Sequence, residues 1–529
     1  MENSRTLDER VYREYAYLRG YRDMAFFAKT FFPHLCERPF STMHEDFCRA
    51  EQQPQPRGQK VVIAAPRGNA KTTLKLHIKI IHAIVYEYEP FILILTHAKS
   101  EAREKGLALL EELEQNTAIQ QVYGSFSPRT TPGHKVKSPL NFVTTNGIRV
   151  TAKSRGQQIR GIIQKGNRPS LIICDDIEAP GEVLSPEQRQ KTREWFFKDV
   201  MKVGQVDHST NITVIGTCLH PESLLSELLC NPGFLAAKYH SVICEAENTA
   251  LWDAWRALYT DLSDPNRIAT AQAFYRENEP AMLAGSQVLW PEVESYECLM
   301  RMRVDGGEAS FNSEKQNDPY DPERQIFDMR KAKRVSVQWS DGQFAVIREN
   351  YRRPIPQSEL QIVAFHDPAL EKKPSQHSEP CYSAIVVVAK DRDGYLYCLD
   401  ASLAKDAISQ QIARTMKLIR KWGVQRLYFE DNGFQSALRP FYQNAMAQPN
   451  NKVILLIGVT QTENKFERVA TLEADITNGY LQFADTLDRR MIEQLQQFPT
   501  GYVDGPDALE GAVRQLRRRV DAVRLRPLV

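Results

Sequence analysis

Residues 61–73, VVIAAPRGNAKTT, set a lysine and two threonines directly after an apolar run and a loop of small residues. That layout fits a strand, a phosphate-binding turn and the start of a helix. In such a turn the backbone N–H groups at the helix N-terminus face the phosphates of a nucleoside triphosphate. Arg67, Gly68, Asn69, Ala70, Lys71, Thr72 and Thr73 are therefore nucleotide-binding candidates. Lys71 would reach the β- and γ-phosphates, and the Thr72 hydroxyl would bind Mg2+. Ala65 and Ala70 stand where such loops carry glycine, and alanine is expected there only if φ stays negative. Arg67 adds a second cation, either on the γ-phosphate or as a reporter of its loss.

The segment LIICDDIE (171–178) is an apolar strand that ends in carboxylates. Beside the phosphate loop it would place Asp175 near the Mg2+, while Asp176 or Glu178 polarises the attacking water. Strand alternation would turn Asp176 away from Asp175, so both acids stay open. Thr217 closes another apolar strand (211–217) and could sense the γ-phosphate, with His220 following. Arg155 and Arg160, in AKSRGQQIRGI (152–162), are candidates for an arginine finger on a neighbouring subunit, or for ordinary surface ion pairs.

A second constellation lies far downstream. Asp367 ends IVAFHDPAL, Glu430 ends the strand in RLYFEDNGF, and Asp504 and Asp507 open a helix in GYVDGPDALEGAV. Carboxylates from two neighbouring strands and one helix can converge on two divalent ions about 3.5–4 Å apart. Hard oxygen donors suit Mg2+ or Mn2+, one activating water and the other stabilising the leaving 3′ oxygen. His366 could support these acids from behind or contact DNA, or simply be adjacent to them.

Elements that would position these groups follow from hydrophobic patterning. Strands are expected at 60–65, 91–96, 148–152, 170–175 and 211–217, with helices at 71–86, 99–114 and 186–201. This is a mostly parallel sheet covered on both faces. After a polar, Gly/Asp/Pro-rich stretch (301–325), strands are expected at 360–366, 382–389, 394–400, 425–430 and 452–457. The first three form a meander with a turn at 391–394. Helices are expected at 405–422, 463–478 and 505–520. This fits a ribonuclease-H-like sheet. The 529 residues suit more than one domain, and 42% apolar with 25% charged residues is ordinary for a globular protein. No apolar run approaches the roughly 18–20 residues of a membrane span, and the N-terminus lacks the apolar core of a signal peptide. Nine cysteines form no CxxC pair, and Cys174, Cys218 and Cys244 lie in apolar runs, as buried thiols would. Net charge is only +2, yet Arg514, Arg517, Arg518, Arg519, Arg524 and Arg526 cluster at the C-terminus. They could meet DNA phosphates, dock an acidic protein surface, or simply solvate a helix end.

In order, APRGNAKTT, SRGQQIRG, RPSLIICDDIE, IGTCLHP, HDPA, YFEDNG and VDGPDAL resemble the large subunit of the viral DNA-packaging terminase of tailed bacteriophages, across nearly the whole chain. The resemblance implies an α/β chain with an N-terminal P-loop (RecA/ASCE-like) ATPase domain and a C-terminal RNase H-like nuclease domain. The expected division is an ATPase motor over 1–310, with a helical segment at 1–55, a linker or subdomain over 311–355, and a nuclease over 356–529. It implies ATP with Mg2+, Mn2+ being possible in the nuclease, and a catalytic carboxylate just after Asp175. It places the last nuclease acid within Asp504–Asp507. The implied partners are double-stranded viral DNA, a portal protein, a small terminase subunit and further copies in a ring, often a pentamer. The implied location is the portal vertex of the procapsid in the host cytoplasm. Ala70 departs from the family's usual glycine, and Val503 precedes Asp504 where the usual histidine of the last motif is not evident. A repair- or restriction-type helicase or translocase with a nuclease is the alternative, but it carries a second RecA-like domain where this chain reads as nuclease. A non-catalytic scaffold would have no structural need for Lys71, Asp175 and three further acids.

Overall fold

The computed structural model describes residues 2–53, 55–128, 137–319, 326–349, 353–369, 382–431, 438–448, 454–461, 463–499 and 501–518. The chain forms two compact units. The first is Met1–Glu247 with Leu283–Met302 and Ser310–Asp321, and the second is Asn248–Met282 with Arg303–Ala309 and Pro322–Val529. This division differs from limits at 310 and 356. Residues 248–282 group with the second unit, and the expected linker or subdomain supplies strands to its sheet.

The strands of the first unit are β1 (Lys60–Ala64), β2 (Phe91–Thr96), β3 (Lys137–Ser138), β4 (Asn141–Val143), β5 (Arg149–Ser154), β6 (Leu171–Asp175), β7 (Asn211–Gly216) and β8 (Leu235–Lys238). A separate two-stranded antiparallel sheet pairs β9 (Val242–Cys244) with β10 (Gln287–Val288). The main sheet runs β3-β4-β5-β2-β6-β7-β1-β8, and its centre is parallel. Alternation feeds two cores. Ile92, Ile94, Leu171 and Ile173 pack on one face, and Leu93, Leu95, Ile172 and Cys174 on the other. Each such side chain contributes about 1.5–3 kcal/mol when fully buried, so register is firmly set and the strand ends are fixed.

One strand, β7, separates β1 from β6, so the carboxylate strand ends near the phosphate loop without pairing with the loop strand. This is the strand order of the ASCE class. The expected helix 71–86 begins with a π-helical turn, Thr73–Ile78, before Lys79–Tyr86 becomes α-helical. A buried triad ties that turn down. Lys75 and Lys79 each stand 2.8 Å from a Glu51 oxygen. Burial alone would raise the Glu51 carboxyl, but the two ammoniums outweigh it and hold it low.

In the second unit the strands are β11 (Arg334–Ser340), β12 (Gln343–Arg348), β13 (Ile355–Pro356), β14 (Gln361–Asp367), β15 (Ser383–Lys390), β16 (Leu396–Ala404), β17 (Arg426–Glu430), β18 (Leu455–Val459) and β19 (Leu481–Ala484). The sheet order is β13-β12-β11-β19-β16-β15-β14-β17-β18. Within it, β16-β15-β14 form an antiparallel meander, and β17 and β18 add in parallel on the β14 side. That is the ribonuclease-H order. Val363 and Phe365 of β14 face one core and Ala364 the other. The expected helix 463–478 is two short ones, Lys465–Ala470 and Leu472–Thr477.

The helix Asp504–Arg517 packs on β14 and β15 through glycine. A Cβ on Gly511 would lie 2.7 Å from the Phe365 ring, and one on Gly505 would lie 2.8 Å from Met491 Sδ. This close approach carries Asp504 and Asp507 to the end of β14. Helix propensity alone favours alanine over glycine by about 1 kcal/mol. Gly511→Ala is nevertheless expected to destabilise by about 1–3 kcal/mol through overpacking, seen as a lower melting temperature. An increase would contradict the packing.

Candidate functional site

In the first unit the phosphate-type loop joins β1 to the helical turn at Thr73. Gly68 and Ala70 both adopt positive φ, 87° and 51°. Alanine was expected only at negative φ, so Ala70 is a correction. A left-handed alanine costs roughly 1–2 kcal/mol and persists where its surroundings over-determine it. Those surroundings are visible. His44 Nδ1 accepts from the Ser41 amide, so its Nε2–H donates to the Asn69 carbonyl at 3.0 Å. Asn69 Nδ2 donates to Glu294 at 3.3 Å, and Lys315 donates to the Arg67 carbonyl at 2.7 Å. The Arg67 guanidinium pairs with Glu314 at 2.9 Å. Ala70 and Thr73 line a cavity shared with Phe40, His44 and Trp290.

Lys71 is buried and donates to Thr217 Oγ1 at 2.5 Å and to the Ala65 carbonyl at 3.2 Å. Thr72 Oγ1 donates to Asp175 Oδ1 at 3.0 Å and Oδ2 at 3.2 Å. Asp175 is wholly buried. Burial pushes its carboxyl upward, Lys105 opposes that, and Asp176 adds to it. Asp176 breaks the expected alternation. It takes φ 44° at the strand end, and its Oδ1 comes within 3.6 Å of Lys71 Nζ while its side chain stays half exposed.

Glu178 is placed differently. Its two oxygens accept the amides of Leu224 at 2.8 Å and Leu225 at 3.0 Å, at the start of helix Leu224–Leu229. Arg155 is largely enclosed, pairing with Glu182 and donating to Thr192 Oγ1. Arg160 is exposed and pairs with Asp199. His220 Nδ1 accepts from the Glu222 amide in the turn beyond Thr217.

In the second unit β14 and β17 are parallel neighbours, with His366 in register with Phe429. Asp367 and Glu430 therefore end side by side. Oxygens of Asp367, Glu430 and Asp507 lie within 4.8 Å of one another. These are hard donors in a cluster that repels itself, so the residues fit a divalent cation. Asp504 is partly committed elsewhere, because its Oδ2 accepts the Tyr382 amide at 2.9 Å. Burial raises the Asp367 carboxyl well above its ordinary range. Lys465 opposes the rise, and Asp507 and Glu430 add to it.

Sequence reasoning missed two cations here. Lys465 Nζ lies 3.6 Å from Asp367, 3.2 Å from Asp504 and 3.1 Å from Asp507. The buried Arg468 bridges Asp507 at 2.6 Å and Glu510 at 2.7 Å. Their spacing of three on one short helix is a signal, but only once the acids are known to face it. Lys105, on helix Lys99–Gln115, was missed for the same reason. His366 is a core residue between Tyr442 Oη at 2.7 Å and Ser383 Oγ at 3.2 Å, and burial pulls it down to about 3. Arg514 pairs with Glu463 and Glu510, and Arg517 with Asp475. Arg518 is exposed, and Arg519, Arg524 and Arg526 lie outside the described residues. Cys174 and Cys218 are buried as expected, whereas Cys244 is exposed.

No protein-family model matches this sequence, and no curated protein does. Solved structures it is similar to include viral terminases. The large terminase of a thermophilic bacteriophage, in complex with ADP, is 10% identical with a TM-score of 0.44, over 90% of this chain and 98% of that one. The bacteriophage HK97 large terminase is 14% identical with a TM-score of 0.30, over 90% of this chain and 95% of that one. The human cytomegalovirus terminase nuclease domain, soaked with Mn, is 12% identical with a TM-score of 0.25, over 30% of this chain and 84% of that one. Both fold assignments stand on the strand orders given above.

Burial of the second cluster has a pH consequence. A carboxyl raised on folding contributes its stability below the unfolded value of about 4 and loses it as pH rises through the folded value. In chelator, Asp367→Asn is therefore expected to gain melting temperature relative to wild type as pH rises above about 4. A gap independent of pH would contradict the burial argument.

Proposed function

We propose that this chain is the large subunit of a viral DNA-packaging terminase, an ATPase that drives double-stranded DNA into a procapsid and a metal-dependent nuclease that cuts it. One observation carries the reading. A single chain holds an ASCE-ordered sheet with Lys71, Thr72 and Asp175 assembled, and a ribonuclease-H-ordered sheet with Asp367, Glu430 and Asp507 converged. The described residues hold a ribonuclease-H order where a helicase would carry a second RecA-like sheet.

In the ATPase, Lys71 and the loop amides hold the phosphates, with Arg67 as a second cation. The cavity beside Thr73, walled by Phe40, His44 and Trp290, takes the base. Thr72 and Asp175 would hold Mg2+, which when bound would supply charge neutralisation on the phosphates. Asp176 polarises the attacking water, since it is exposed beside Lys71, whereas both Glu178 oxygens are spent on helix amides. Thr217, bonded to Lys71, senses the γ-phosphate. Arg160, exposed where Arg155 is enclosed, is the arginine offered to a neighbouring copy in a ring.

In the nuclease, Asp367, Glu430 and Asp507 would hold Mg2+ or Mn2+, which when bound would supply water activation and charge stabilisation at the leaving oxygen. Asp504 orients Tyr382 and Lys465. The further partners are viral DNA, a portal protein and a small terminase subunit, at the procapsid in the host cytoplasm. No helix among the described residues is long and apolar enough to cross a membrane.

Lys71→Ala is expected to abolish DNA-stimulated ATP hydrolysis while metal-dependent plasmid cutting persists, and Asp367→Ala to do the reverse. Loss of both activities in either variant contradicts two separate sites. Asp176→Asn is expected to lower the ATPase kcat by about 10²-fold or more with nucleotide affinity kept. Glu178→Gln should instead act mainly through stability. The opposite pattern in steady-state kinetics and melting would reassign the carboxylate.

A further inference from the structure

Asp175 has a partner that the phosphate loop does not supply. Lys105 Nζ stands 2.5 Å from Asp175 Oδ2. It reaches there from helix Lys99–Gln115, which is capped at its start and fixed against a neighbouring turn one residue beyond Lys105. Glu101 accepts the Ala98 amide at 3.3 Å at the helix start. A Cβ on Gly106 would fall 1.7 Å from the Pro139 carbonyl oxygen, so the helix lies hard against that turn. Lys105 is anchored at its backbone, and only its flexible stem is free to swing.

The two lysines divide the two acids. Lys71 faces Asp176 at 3.6 Å and Thr217 at 2.5 Å, along the phosphate path. Among the described residues Lys105 is ion-paired with Asp175, at the carboxylate that also accepts the Thr72 hydroxyl. An ammonium and a divalent cation on one carboxylate repel each other strongly in a buried site. Lys105 and Mg2+ are therefore alternatives at Asp175.

We propose that Lys105 is a positioning residue, a resident counter-ion that holds Asp175 and yields it to the Mg2+ of an incoming magnesium–nucleotide complex. The site thus resists magnesium alone and accepts it with the nucleotide. This rests on the nucleotide-binding reading of the loop. Displacement also releases the Lys105 stem from the site each time the complex arrives.

The test uses the full chain and a fluorescent ADP analogue, with Kd measured in excess Mg2+ and in EDTA. Lys105→Met is expected to tighten binding in Mg2+ and weaken it in EDTA, raising the ratio of the two constants by about tenfold or more. Lys105→Arg keeps the charge and should leave the ratio within about twofold of wild type. Lys105→Gln serves the same measurement if the methionine variant does not fold. A merely structural lysine would change both constants together. Binding with an unchanged ratio in the neutral variants would overturn the proposal alone. No binding by wild type under either condition would overturn the nucleotide reading and this proposal with it.

Discussion

A carboxylate buried at the C-terminal end of a strand needs a positive partner, and each unit of this protein is arranged around that need. Asp175 is wholly buried and Asp367 nearly so. Leaving either charge alone would cost several kcal/mol. The first is compensated by Thr72 and Lys105, the second by Lys465 amid three further acids. In both places the lysine comes from a helix that follows a different strand, β2 for Lys105 and β18 for Lys465. Such compensation is adequate to fold the chain, and it leaves oxygen donors that a divalent cation would hold better than an ammonium does.

The sheets make this placement possible. Both are covered on two faces, so alternating side chains lock register and deliver strand ends to fixed positions. Adjacent parallel strands then set Asp367 beside Glu430, and a glycine-bearing helix is close enough to add Asp507. In the first unit the loop crosses the end of β7, where Thr217 receives Lys71. Strain of this kind is found in that loop and at the strand end opposite it, at Ala70 and Asp176, both with positive φ.

Much of this was legible in the sequence, because buried parallel strands write themselves as apolar runs ending in polar residues. All ten expected strands exist, most within two residues of their expected limits. The acids at strand ends were legible for the same reason. Elements set by tertiary pairing were not. β19 is four residues long and exists because β11 and β16 pair with it on either side. The β11–β12 hairpin did leave a signal, since Asp341-Gly342 with φ 51° and 76° is the preferred two-residue turn between alternating strands. The conformation of Asp176, the capping by Glu178 and the approach of Lys105, Lys465 and Arg468 depend on contacts between residues far apart in the chain. No local pattern encodes them.

The central claim is that two carboxylate clusters in one chain are cation sites, one serving a nucleotide and one serving a phosphodiester. Anomalous diffraction from manganese in crystals of the full chain, grown with a non-hydrolysable ATP analogue, tests it most directly. The account predicts one manganese peak against Thr72 and Asp175 beside the analogue's phosphates, and further density among Asp367, Glu430 and Asp507. Absence of manganese from either cluster, or a nuclease-unit peak on Asp504 with Asp507 still held by Arg468, would contradict it.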